Sequence, residues 1–134
     1  MVQYLSAYAI TAVIFLGIDF VWLSNIAKRF YFDRLGELLR EKPRLGAAVA
    51  FYAIYVVGIV IFAVAPALKE QSATTALVYG ALFGFFAYAT YDMTNYATLR
   101  NWSLTVSLVD VVWGTVLTGT AAFLGYLGTR TVFG

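Results

Sequence analysis

Four apolar blocks, at about residues 4–27, 45–68, 76–99 and 103–128, fix what this chain can become. Each is near or above the roughly 20 residues that a helix needs to cross a hydrocarbon core of about 30 Å. The chain of 134 residues is 62% hydrophobic and 12% charged. A soluble domain is nearer half apolar and a quarter charged, so the excess belongs to a bilayer. The expected fold is an all-α integral membrane protein, a single four-span domain over residues 1–134 packed as an antiparallel bundle. The first block has no basic n-region and is too long for a signal h-region, so it reads as an uncleaved span.

The basic residues orient the bundle. Lys28, Arg29, Arg34, Arg40, Lys42 and Arg44 follow span I and Arg100 follows span III, against only Lys69 and Arg130 on the other side. Cytoplasmic loops carry the excess of Lys and Arg, so both odd loops are expected there and both termini outside. Within residues 28–44, Tyr31, Leu35, Leu38 and Leu39 share one helical face while Arg34, Glu37, Arg40 and Glu41 take the other. This spacing predicts a short amphipathic cytoplasmic helix ended by Pro43, either lying among headgroups or packed on the bundle. Trp102, Tyr31 and Phe30 read as interfacial anchors. The turns 69–75 and 100–102 are short, as antiparallel neighbours require.

With no cysteine and no histidine, disulfides, zinc sites with sulfur or imidazole ligands, histidine-ligated haem and histidine acid–base catalysis are excluded. A net charge of +2 does not point to nucleic acid.

The chemistry gathers on three aspartates, one each in spans I, III and IV: Asp19, Asp92 and Asp110. Counted along their helices, all three sit roughly 10–12 Å inside the cytoplasmic end. Tyr52 of span II crosses the same layer and Tyr55 lies one turn deeper, so either phenol can donate to a carboxylate. Trp22 and Trp113 each follow an aspartate by three residues, in DFVW and DVVW, which puts acid and indole on one helix face. The recurrence of this tetrapeptide on antiparallel spans is a faint sign of an inverted repeat. Asn95 and Tyr88 share the face of Asp92; Ser103 and Ser107 line up with Asp110, so a polar lumen is expected to open to the cytoplasm.

An aspartate at a helix centre costs on the order of 2.5–3.5 kcal/mol and usually faces the bundle interior. Three carboxylates in one layer therefore imply that at least one is protonated near neutral pH, or that a bound cation or Arg100 compensates the cluster. The opposing reading is interhelical glue, through Asp19–Tyr52 and Asp92–Ser107 pairs worth about 0.6–2 kcal/mol each. Gly80 and Gly84 form a GxxxG on span III, and Gly114, Thr118 and Ala122 a small-residue stripe on span IV; packing within the bundle is the expected use.

The DxxW of span I, the YDMTNYATL segment ending span III and the SLVDVVWGT start of span IV resemble a bacterial family of small inner-membrane proteins, catalogued as domain of unknown function 2177. The likeness runs over essentially the whole chain, and Asp19, Trp22, Asp92, Asn95, Asp110 and Trp113 match the family pattern. The resemblance implies a multi-pass protein of the bacterial inner membrane and no particular activity.

The binding set expected from the residues is Asp19, Trp22, Tyr52, Asp92, Asn95, Arg100, Asp110 and Trp113. Its favoured use is binding or transport of protons or a small cationic solute. An accessory subunit with structural aspartates is a second reading. The third is a membrane-embedded enzyme acting on lipid, in which Asp19, Asp92 and Asp110 hold a divalent cation. No cofactor is evident; the expected partners are the lipid bilayer and a second copy or a larger membrane complex.

Overall fold

The structure, a computed structural model, describes residues 2–36 and 44–133. Among these residues six α-helices follow in chain order: α1 (Val2–Trp22), α2 (Lys28–Leu35), α3 (Leu45–Ile59), α4 (Ala65–Glu70), α5 (Ala73–Thr98) and α6 (Leu104–Phe133). There is no strand among the described residues. Four helical stretches are long and apolar enough to cross a membrane: Val2–Asn25, Leu45–Glu70, Ala73–Thr98 and Leu104–Phe133. They are spans I to IV. One end of the bundle holds the N-terminus of α1, the 71–72 turn and Phe133, and is termed the terminal end. The other holds α2 and the 99–103 turn, and is termed the connector end.

Two π turns interrupt the spans, each with a local cause. Span II widens over Val60–Val64, just before Pro66. Proline has no N–H for the carbonyl four residues back and crowds it, so the ladder changes register there. Span I widens over Leu23–Ala27, where the Asn25 amide donates to the Val21 carbonyl at 3.1 Å and inserts into the ladder. Beyond this turn α2 does not run straight on. A straight helix would carry Tyr31 about 18 Å past Asp19, yet the Tyr31 hydroxyl reaches Asp110. Leu35 is buried as well. The connecting helix therefore packs back on the bundle, which decides between its two expected settings. Glu37, Leu38, Leu39, Arg40, Glu41 and Pro43 lie outside the described residues.

The short turns are held by their own side chains. Ser72 accepts from the Thr75 N–H at 3.1 Å, and Ser103 accepts from the Val106 N–H at 3.1 Å, capping α5 and α6. Gln71 and Asn101 take left-handed backbone angles, φ 54° and 61°, which reverse the chain at each turn.

The core is small and the outside is greasy. Phe15, Ile59, Val64, Leu117 and Tyr126 are buried together, whereas Val13, Phe20, Ile54 and Val112 are each more than 60% exposed. An apolar girdle of this kind suits acyl chains. The most extensive interface is between α5 and α6, and glycine makes it. A Cβ on Gly80 would come within 2.6 Å of the Ala122 methyl. On Gly84 it would overlap the Gly114 carbonyl and come within 2.7 Å of the Thr118 side chain. The GxxxG of span III thus packs on the small-residue stripe of span IV. Gly84→Ala should cost about 1–3 kcal/mol by overpacking, read as a lower melting temperature in detergent. Gly17→Ala, where nothing lies within 4 Å, should not be destabilising.

Candidate functional site

The three aspartates come to one depth. Asp19 is six residues from the end of span I at Asn25, Asp92 six from Thr98, and Asp110 six from Leu104, or about 9 Å in each case. Their surroundings differ sharply.

Asp19 is fully engaged. Tyr52 donates to its Oδ2 at 2.9 Å and the Trp113 indole N–H donates to its Oδ1 at 3.2 Å. One carboxylate of span I thus holds spans II and IV. Trp22 and Trp113 stack face to face, with ring centroids 4.3 Å apart and planes 11° from parallel. The two DxxW segments are therefore in contact, and the tryptophan of one serves the acid of the other. The Trp22 indole nitrogen is buried without a partner among the described residues.

Asp110 is half-buried and accepts from the Tyr31 hydroxyl at 2.8 Å. Tyr31 was expected to be an interfacial anchor and is instead a donor to the acidic layer. Burial, and then the Asp110 carboxylate beside it, holds the Tyr31 phenol well above its ordinary range, so it stays a donor. No sequence spacing connects residues 31 and 110. The only hint was an aromatic on the apolar face of the connecting helix.

Asp92 is the unsatisfied member. It is 1% exposed, and neither carboxyl oxygen has a hydrogen-bond partner among the described residues. Asp110 is the acidic neighbour of both Asp92 and Asp19. The expected Asp92–Ser107 pair forms differently: the Ser107 hydroxyl lies 3.3 Å from the Asp92 backbone carbonyl and 3.1 Å from that of Ser103, and accepts from the Trp102 indole at 2.9 Å. Trp102 thus ties the turn to α6.

The cavity beside these groups is aromatic where a polar lumen was expected, because Ser103 and Ser107 are used up in capping and in the turn. It measures about 450 Å³ and is lined by Phe51, Tyr52 and Tyr55 of α3, by Phe83, Ala87, Tyr88 and Tyr91 of α5, and by Asp110. Toward mid-membrane it is closed where the Tyr55 and Phe83 rings stack at 5.1 Å and Phe83 packs over Gly58. Tyr55 is fixed there by a 2.8 Å hydrogen bond with Thr118. Toward the connector end α3 and α5 diverge, and the outward-facing rings of Phe51 and Tyr91, more than half exposed, flank the mouth. The cleft opens sideways between spans II and III, with one carboxylate at its foot.

Of the remaining expected residues, Asn95 is half-buried on α5 outside the cleft lining. Arg100 is exposed in the 99–103 turn and is hydrogen-bonded to none of the three aspartates among the described residues. No group of three acidic side chains among those residues comes together as a metal ion would need. Tyr88, Tyr91, Phe51 and Phe83 were not in the expected binding set. Tyr88 was expected on the face of Asp92 beside a polar lumen; the other three read as ordinary aromatic span residues until the divergence of two helices made them walls.

The Asp19 node predicts a coupling. Tyr52→Phe should cost about 0.6–2 kcal/mol, the worth of a hydrogen bond between membrane helices. In a cycle with Asp19→Asn the double variant should lose less than the sum of the single ones, by 0.5 kcal/mol or more.

No curated protein and no solved structure matches the chain. One family pattern does, over residues 4–127, and its description is that of a predicted membrane protein. This four-span chain belongs to that family, DUF2177.

Proposed function

We propose that this membrane protein binds a small organic cation that reaches it from the bilayer, with Asp110 as the counter-charge and the aromatic walls of the cleft as the cage. The observation that carries this reading is the position of a half-buried carboxylate at the foot of an aromatic cleft of about 450 Å³. A volume of this size suits a small organic molecule and is far too large for a bare ion. Aromatic faces attract a desolvated ammonium by about 2 kcal/mol each, and the half-buried Asp110 carboxylate is placed to add a counter-charge. The unpartnered Asp92 carboxyl next to Asp110 requires either a proton or a cation, which supports exchange between the two. Transport follows if the loaded cleft can open to the connector end. The bias of Lys and Arg supports a cytoplasmic setting for that end, with both termini outside, in a bacterial inner membrane.

A second reading has an observation of its own. Asp19, bound at both oxygens by donors from two other spans, behaves as interhelical glue, so a role as a structural subunit, alone or in a dimer or larger complex, rests on that residue.

Benzyltrimethylammonium separates the two. It should raise the melting temperature of the detergent-purified protein saturably, following RT ln(1 + [L]/Kd). Asp110→Asn should weaken that response about tenfold or more, and the uncharged neopentylbenzene should give little. An equal response to the uncharged analogue, or an unchanged one in Asp110→Asn, would overturn the cation reading and leave the structural one.

A further inference from the structure

The terminal end of the bundle carries a second cavity whose chemistry is opposite to that of the cleft. It measures about 220 Å³ and is lined by Gln3, Leu68, Gln71, Tyr126, Arg130 and Phe133. Among the described residues of the lining, Arg130 is the charged one. Its Nη1 donates to the Tyr126 hydroxyl at 2.7 Å, and Tyr126 is 2% exposed and anchored in the core. The guanidinium is thus held at one nitrogen by a fixed phenol, and its other N–H donors have no hydrogen-bond partner among the described residues. The nearby acid is turned elsewhere: Glu70 accepts from the Thr75 hydroxyl at 2.8 Å and is not part of the lining.

We infer that this cavity is an anion site for a phosphate group, set at headgroup depth. Arg presents a planar fork that matches phosphate oxygens, and pre-ordering by Tyr126 reduces the entropy lost on binding. The Gln3 and Gln71 amides supply further donors. Gln71 is fixed in place by the left-handed end of α4, where its N–H bonds the Ala67 carbonyl. Leu68 and Phe133 complete a lining that is mainly polar. Arg130 is three residues from the end of span IV and Gln3 one from the start of span I, the depth at which phospholipid phosphates lie. The phosphate can belong to an anionic glycerophospholipid or be free in solution. The site is independent of the acidic layer, on the opposite side of the bundle.

Native mass spectrometry of the protein in dodecylmaltoside tests it. Dihexanoyl-phosphatidylglycerol should bind saturably as one molecule per chain, and Arg130→Gln should weaken it about tenfold or more. Arg100→Gln, at the other end, should leave it unchanged. Inorganic phosphate that competes at similar concentration would support the site and identify the free anion as its ligand; failure to compete would identify the lipid. Should Arg130→Gln not fold, Arg130→Lys keeps the charge without the fork and should still weaken binding several-fold. Equal binding by the wild type and the folded Arg130 variant would overturn the proposal.

Discussion

The connector half of the bundle depends on one carboxylate. Asp19 would cost a lone helix on the order of 2.5–3.5 kcal/mol in hydrocarbon. It is offset by two donors, each worth about 0.6–2 kcal/mol between membrane helices. Because those donors stand on spans II and IV, meeting the electrostatic demand of span I also sets the height of the other two. Tyr52 is drawn to Asp19 and Tyr55, one turn deeper, to Thr118, so the inner face of α3 is committed to spans I and IV. Span III receives no such link from α3 at this level, and the cleft is the consequence.

The two halves of the molecule are built on different physics. Toward the terminal end, glycine and alanine let the backbones of spans III and IV approach closely, and the core is continuous from Ala7 to Tyr126. Toward the connector end, large aromatic rings and carboxylates replace the small residues, and dense packing gives way to a few directed hydrogen bonds. Along span II the π turn Val60–Val64 and Pro66 after it both lie in the terminal half, clear of the aromatic region that begins at Tyr55. A membrane protein has little hydrophobic drive between helices, so close backbone contact on one side and polar links on the other are what hold such a bundle together.

Much of this was legible in the residues. The spans follow from block length, the common depth of Asp19, Asp92 and Asp110 from counting along helices, and the Gly80–Gly84 contact from its spacing. The face-to-face DxxW tryptophans are consistent with the faint inverted repeat, although Trp113 serves the acid of the opposite segment, which same-helix spacing does not anticipate. Three features escaped because they depend on where helices diverge or turn back. Tyr31 reaches Asp110 only because a π turn redirects α2. Ser107 serves a backbone carbonyl and an indole in place of the Asp92 carboxyl. The aromatic cleft exists only where α3 leaves α5, and no periodicity within one helix encodes the gap between two.

The most direct measurement uses the absence of cysteine from the chain. Ala87→Cys puts a single thiol in the wall of the cleft, to be modified in lipid by a cationic thiosulfonate reagent and by a neutral one of the same size. If the cleft is open and its foot is charged, the cationic reagent reacts faster. Added Asp110→Asn removes that preference, and benzyltrimethylammonium slows the reaction saturably. A thiol that is inert to both reagents, or that reacts equally with both and without protection, would contradict a cation-binding cleft between spans II and III.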